Sequence, residues 1–219
     1  MPLRGTSDSL ARASRDCKGA GVASALPRCR PSGYAGGRER PGRSALHPHR
    51  ELRPDTRRFC PLCGGTLGLQ PVPPDGRREA VCEGCGFVFY LNPKLVAGTL
   101  PCRDGRVLLI RRAHAPARGK WTFPGGFVDW GEAVGEAAIR ETREEVQLEV
   151  RLDRLHGVYS YPGVSVVIVV YLATVIAGEP VCGSEVLEAA FVAPAEIPWE
   201  ELAFPSTADA LRDWVAGQP

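Results

Sequence analysis

GFVDWGEAVGEAAIRETREEVQL, residues 126–148, decides the fold, because it sets a glycine and five charged residues in a fixed register: Gly126, Glu132, then Arg140-Glu141 and Glu144-Glu145. If residues 133–146 are helical, the step of about 100° per residue places Glu141, Glu144 and Glu145 in one arc, itself only about 100° wide. Ala138, Ile139, Thr142 and Val146 fall in the adjoining arc, which reads as the face that packs on a core. Three crowded carboxylates either raise a pKa or recruit a cation. A hard divalent ion such as Mg²⁺ prefers oxygen ligands and usually shares them with substrate phosphates. Arg140, one turn before Glu144, is placed to orient a carboxylate by an i,i+4 pair. Pro124-Gly125-Gly126 permits a close backbone approach that side chains would obstruct, so a carbonyl there can join the ligand set. Taken alone, R-E-x-x-E-E also describes a solvated acidic helix; Gly126 and Glu132 in register favour the metal reading.

On these residues the stretch resembles the Nudix box, G-x5-E-x7-R-E-U-x-E-E-x-G-U, where U is a bulky apolar residue. The resemblance implies hydrolysis of nucleoside diphosphates linked to another moiety. It also implies an α/β fold, a Nudix α/β/α sandwich with a mixed sheet. By position it makes Glu141, Glu144, Glu145 and the Gly126 carbonyl the Mg²⁺ or Mn²⁺ ligands, Arg140 the residue that positions a glutamate, and Glu132 a support for loop and helix. Two residues depart from the pattern: Thr142 stands where a bulkier apolar residue is usual, and Gln147 stands where glycine is expected. Glycine past a helix end normally takes a left-handed conformation, which costs another residue on the order of 1 kcal/mol.

A second motif precedes the first. Cys60, Cys63, Cys82 and Cys85 form C-x2-C-x18-C-x2-C, with Gly64-Gly65 after the first pair and Gly84 and Gly86 around the last cysteine. This spacing is that of a four-thiolate zinc site with no corner left for water, hence a structural Zn²⁺. Two disulfides are the alternative, but nothing in the sequence points to an oxidising compartment. About 35 residues cannot bury much core without such a staple. Cys17, Cys29, Cys102 and Cys182 read as tail or buried thiols.

The 219 residues, 44% of them hydrophobic, suit one enzyme domain with appendages. Residues 1–58 hold 13 Lys/Arg against 5 Asp/Glu, leaving 14 against 20 for the remainder. We expect three parts: residues 1–56 a disordered basic extension, 57–91 a zinc ribbon, and 92–219 the hydrolase domain. The leader, rich in Arg, Gly, Pro, Ser and Ala, is consistent with a dispensable extension, a transit peptide, a nucleic-acid-binding tail or a misassigned start. The expected location is cytoplasmic, or organellar if the leader is a transit peptide. No apolar run reaches the ~20 residues of a membrane helix.

Lys94–Leu100 and Arg106–Arg112 read as a hairpin around Asp104-Gly105, with further strands at Leu148–Leu155, Val164–Val175 and Ala189–Val192, and helical spacing over Thr207–Val215. The resemblance extends over Phe59 to Trp214. Phe59 to Gly64, Cys82 to Gly86, Tyr90 to Lys94 and Glu196 to Phe204 together resemble a zinc-ribbon Nudix subgroup that includes the plant chloroplast FAD and ADP-ribose pyrophosphatase. NADH pyrophosphatases carry a downstream S-Q-P-W-P-F-P-x-S element; here the region reads Tyr159-Ser160-Tyr161-Pro162-Gly163. Glu185 and Glu188 match an E-x-x-E pattern of the subgroup, a base or extra ligand by that resemblance, or else a solvated pair. Arg111, Arg112, Arg118 and Lys120 are candidates for phosphate oxygens or for solvent. Trp121, Phe123, Phe127 and Trp130 are candidates for stacking on a base or for packing. His114 and His156 show no ligand spacing.

The expected function is therefore Mg²⁺-dependent hydrolysis of an ADP-ribose- or FAD-type nucleotide with release of AMP, acting on a small-molecule substrate, with a homodimer open. NADH or nucleoside triphosphate hydrolysis is the alternative within the class. Outside it stand a catalytically silent regulator, which the intact R-E-x-x-E-E argues against, and a nucleic-acid-binding module, which the acidic balance after residue 58 argues against.

Overall fold

The computed structural model describes residues 58–218, so the reading of residues 1–56, with Cys17 and Cys29, lies outside it. The described residues divide into two compact units, 58–93 and 94–218.

In the first unit, β1 (Leu67–Val72), β2 (Arg77–Cys82) and β3 (Val88–Phe89) form an antiparallel sheet in that order. Leu67 pairs with Cys82 and Val72 with Arg77 around the turn at residues 73–76. The apolar core consists of Cys60, Leu67, Ala80 and Cys82, with Phe87 and Phe89 against it. So small a core cannot hold a fold by burial alone, which puts weight on the four sulfurs.

The second unit is built on a mixed seven-stranded sheet. Its strands are β4 (Lys94–Arg103), β5 (Arg106–Arg112), β6 (Trp121–Thr122), β7 (Gly125–Phe127), β8 (Glu149–Tyr159), β9 (Val166–Ala177) and β10 (Val186–Val192). The order is β10-β5-β4-β9-β8, with β6 on β5 and β7 on β4. β4 runs parallel to β9 from Lys94–Val166 to Cys102–Thr174 and antiparallel to β5 at its far end. Its near half, Val96 to Gly98, pairs instead with β7.

Side-chain alternation sorts the two faces. Leu100, Cys102, Val107, Leu109, Ile168 and Val170 point to one face, where α2 (Pro205–Ala216) lays down Ala210, Leu211 and Trp214. Leu108, Ile110, Val150 and Ala173 point to the other with Val146 of α1 (Val134–Val146), and Ala97 meets Ala137 and Ala138 there. Each large aliphatic side chain so buried contributes about 1.5–3 kcal/mol. One helix on each face makes the α/β/α sandwich that the sequence implied. Among the described residues no helix is long and apolar enough to cross a membrane.

The expected strands and helices are present, with differences that have local causes. β8 continues to Tyr159, past the expected end at Leu155, through register shifts at Glu149/Val150, Leu152/Arg154 and Leu155/Gly157 that break its alternation. The segment from Trp121, read as loop, contains β6 and β7, too short for a periodic signal. α1 starts one residue later than expected, with Ala133 as its N-cap.

The departures in the box are accommodated differently. Thr142 is fully buried, donates to the Ala138 carbonyl at 2.8 Å and lies 2.7 Å from the Thr99 hydroxyl. Its single proton goes to Ala138, so Thr99 is the donor between the two hydroxyls. Gln147 takes the left-handed conformation that glycine would occupy, φ 56° and ψ 27°, and its amide donates to the Arg143 carbonyl at 2.9 Å.

Candidate active site

α1 delivers the carboxylates to a cleft of about 930 Å³ in the second unit, lined by Glu141, Glu144 and Glu145. The opposite lip is the Gly125-Gly126 backbone, held in the sheet by β7 pairing on β4. Here glycine is required by space: a Cβ on Gly126 would stand 2.5 Å from each Glu141 oxygen. The Gly125 amide donates to the Glu145 carboxylate at 2.9 Å. The sequence predicted the acidic arc, and its contact with the glycine pair comes from tertiary pairing.

Arg140 organises the group. Its Nε and Nη2 grip both oxygens of Glu132 at 2.8 and 2.9 Å, Nη1 donates to Glu141 at 2.8 Å and Glu144 at 3.3 Å, and Nη2 reaches the Phe127 carbonyl at 3.1 Å. A planar guanidinium suits this fork, and an ammonium would not reproduce it. Arg140, followed by the Asp129 amide, holds the Glu132 carboxyl below the usual range. Burial pushes Glu145 up to about 8, a push reinforced by Glu141 and Glu185 and opposed by the Gly125 amide. Burial likewise raises Glu141, although Arg140 pulls the other way.

Glu185 enters from the loop before β10 and lines the same cleft, exposed. The Val181 and Gly183 amides donate to the Val146 and Glu145 carbonyls at 3.0 and 2.8 Å, tying this loop to carbonyls that the end of α1 leaves open. Glu188 does not line the cleft; it is buried on β10, 3.8 Å from Arg111.

The candidate substrate contacts divide in the same way. Arg112 and Phe123 line the cleft, as does Phe127. Arg111 and Trp121 do not: the Arg111 Nε donates to the Gly119 carbonyl at 2.7 Å, and its guanidinium lies 5.9 Å from the Trp121 ring, which packs on the core. Trp130 is fully exposed, and Arg118 and Lys120 are not cleft residues. His156 Nε2 donates to the Ala210 carbonyl, 2.9 Å away, and His114 is exposed. Tyr161, Phe204, Ser206 and Thr207 also line the cleft. Sequence reasoning did not select them; the one signal was Pro205, suited to the first turn of a helix.

In the first unit the four cysteine sulfurs lie within 4.8 Å of one another, with Cys60–Cys85 at 3.7 Å and Cys63–Cys82 at 3.4 Å. Sulfurs at about 2.3 Å from a tetrahedral Zn²⁺ stand roughly 3.8 Å apart, so the set fits that ion. The two C-x-x-C turns are equivalent: the Gly64 amide donates to the Cys60 carbonyl and the Gly86 amide to the Cys82 carbonyl, at 2.9 and 3.0 Å, with φ of 74° and 75°. Amides of Leu62, Gly65 and Cys85 donate to the Cys60, Cys63 and Cys82 sulfurs at 3.4 Å, which favours thiolates.

Known proteins share this arrangement. Residues 92–214 match the family described as NUDIX domain, and residues 58–91 match the one described as Nudix N-terminal, a zinc ribbon. The chain belongs to the Nudix family. It is 38% identical over 109 residues to an ADP-ribose pyrophosphatase of Methanocaldococcus jannaschii, a match covering 48% of this chain and 64% of that protein. It is 30% identical over 133 residues to an NAD-capped RNA hydrolase NudC of Pseudomonas fluorescens, covering 60% of this chain and 46% of that one. The chain thus spans about half to two thirds of the length of these curated relatives. Among solved structures it is similar to a NUDIX hydrolase from Nitrosomonas europaea, with TM-score 0.69 and 36% identity over 74% of this chain and 95% of the other. A MutT NUDIX hydrolase from Burkholderia pseudomallei gives TM-score 0.50 and 35% identity over 56% and 98%.

Proposed function

We propose that the chain hydrolyses the diphosphate of an ADP-ribose- or FAD-type nucleotide, releasing AMP with ribose 5-phosphate or FMN, and requires Mg²⁺ or Mn²⁺. The observation that carries this is the convergence of Glu141, Glu144, Glu145 and Glu185 on one cleft against the Gly126 backbone. Glu141, Glu144, Glu145 and the Gly126 carbonyl would hold the cation. An all-oxygen donor set suits a hard divalent ion, and carboxyls raised by burial regain their charged form when one arrives. Such an ion, when bound, neutralises diphosphate oxygens and lowers the pKa of water.

The remaining work falls to the chain. Arg140 fixes Glu141 and Glu144 while Glu132 compensates its charge. Arg112, which lines the cleft with its guanidinium 5.3 Å from the Phe204 ring, is the candidate to meet phosphate oxygens. Glu145, whose carboxylate accepts from the Gly125 amide, and Glu185, which lines the same cleft, are the two candidates to take a proton from the attacking water. Water then adds to one phosphorus, the anhydride P–O bond breaks and the other phosphate departs. Glu188, paired with Arg111, supports β10. The four cysteines would hold a structural Zn²⁺.

Similarity to an NAD-capped RNA hydrolase supports a second reading, hydrolysis of NADH or a related dinucleotide, with nucleoside triphosphates as a further alternative. The segment Tyr159 to Gly163, without S-Q-P-W-P-F-P, favours the first. A screen of ADP-ribose, FAD, NADH, CoA and nucleoside triphosphates with Mg²⁺ or Mn²⁺ tests it. The highest kcat/KM on ADP-ribose or FAD is expected; a higher value on NADH or a triphosphate would replace this reading with the second.

A further inference from the structure

The segment between β9 and β10, residues 178–185, serves α1 in two ways. The last carbonyls of a helix have no partner within it. Gln147 takes the Arg143 carbonyl through its own amide, and the segment takes two more: the Gly183 amide donates to Glu145 at 2.8 Å and the Val181 amide to Val146 at 3.0 Å. The same segment brings Glu185 to the cleft. Capping of the catalytic helix and placement of the fourth carboxylate are thus joined in one short stretch of chain.

Space requires glycine at the first of these contacts. A Cβ on Gly183 would stand 2.7 Å from the Glu144 carbonyl oxygen and 3.2 Å from that of Glu145. Helix backbone cannot swing aside as a side chain does, so the segment would have to lift away from α1. Gly178, at the other end of the segment, meets the helix end less closely: its φ is 94°, and a Cβ there would stand 3.1 Å from the Gln147 carbonyl oxygen. From Gly183 the chain reaches Glu185 through one tight turn, closed by the Val186 amide donating to the Gly183 carbonyl at 3.2 Å. The Glu185 carbonyl in turn accepts from the Ala113 amide, just past β5, at 2.9 Å. Glu185 is therefore fixed between the end of α1 and the end of β5. A displacement of about 1 Å in a reacting group can cost on the order of a hundredfold in rate.

We propose that Gly183 is a positioning residue for Glu185: it lets the segment dock on the last turn of α1 and so sets the fourth carboxylate beside the three of the helix. The assignment rests on the hydrolase reading for the role of Glu185. The test is a double-variant cycle on the full, zinc-loaded chain, Gly183→Ala against Glu185→Gln. It is read as kcat on ADP-ribose and, without substrate, as Mn²⁺ affinity by electron paramagnetic resonance. Glu185→Gln should lower kcat by about a hundredfold or more and Gly183→Ala by about tenfold to a hundredfold, and each should weaken Mn²⁺ binding several-fold. In the double variant neither loss should exceed that of Glu185→Gln alone, because Gly183 acts through a carboxylate no longer there. Gly178→Ala, strained but at the far end of the segment, should lower the melting temperature and leave kcat unchanged, which separates positioning from general support of α1. A glycine inserted between Ser184 and Glu185 lengthens the turn without a clash and should reproduce the kcat loss, even where Gly183→Ala does not fold. Additive losses, full kcat in folded Gly183→Ala or in the insertion variant, or an equal kcat loss in Gly178→Ala would overturn the positioning role. The non-additive pattern in Mn²⁺ affinity, in a chain that hydrolyses nothing, would instead overturn the hydrolase reading and keep Gly183 as the residue that sets Glu185.

Discussion

Glu145 gives the metal-free protein an unusual pH dependence. Its carboxyl is raised from 4.5 to about 8, so the folded chain keeps a proton that the unfolded chain releases. Stability from this group is complete below about pH 4.5, falls as pH rises and is lost above about 8. The rise corresponds to an upper bound on the order of 5 kcal/mol. Glu141, raised by burial, acts in the same direction. His156, lowered by burial, acts oppositely near its ordinary range, whereas Glu132 and Glu149, both lowered through arginine partners, matter only in acid. Glu145→Gln removes one term and leaves the others: glutamine keeps an oxygen to accept from Gly125 and has no proton to lose. Urea midpoints of zinc-loaded protein in Mg²⁺-free buffer, from pH 5 to 9, measure the difference. The wild type should lose several kcal/mol relative to the variant over this window. Mg²⁺ at about 100 times its Kd should restore roughly 2.7 kcal/mol at pH 8.5 in the wild type only. Equal slopes in the two proteins would refute the assignment of the proton to Glu145.

Other expectations follow from single contacts. Thr142→Val should cost about 1–3 kcal/mol by orphaning the Thr99 hydroxyl, and Thr99→Val less, because Thr142 still donates to Ala138. The double variant should cost less than the sum, so additive denaturation midpoints would contradict this hydrogen-bond chain. Gln147→Gly relieves the left-handed conformation and should stabilise by about 0.5–1 kcal/mol, partly offset by unfolded-chain entropy; a lowered melting temperature would count against it. Gly126→Ala places a methyl on the Glu141 carboxylate and should reduce metal-dependent turnover by about a hundredfold or more with circular dichroism unchanged; near-wild-type turnover would exclude the Gly126–Glu141 contact.

What the sequence revealed is what local periodicity controls. The arc of Glu141, Glu144 and Glu145 follows from helical geometry, and the cysteine pairs declare themselves by spacing. The other walls of the cleft depend on pairings between distant segments. Gly125-Gly126 become a lip because β7 joins β4, and Glu185 is placed by amides that bond the far end of α1. Trp121 and Glu188 were sensible candidates by residue type, yet β6 turns the indole into the core and β10 seats Glu188 beside Arg111. Ser206 and Tyr161 carry no motif; only the packing of α2 against the sheet brings them to the cleft. Gln147, the irregularity of the box, changes the cost of the helix end and not its geometry.

Metal-dependent hydrolysis of a diphosphate by the α1 carboxylates is the activity on which the reading of the cleft depends. Its most direct measurement is the Mg²⁺-dependent release of AMP from ADP-ribose by Glu144→Gln/Glu145→Gln beside the wild type, with folding checked by circular dichroism. A loss of about a thousandfold or more in kcat is predicted. Undiminished Mg²⁺-dependent turnover by the double variant would contradict the account.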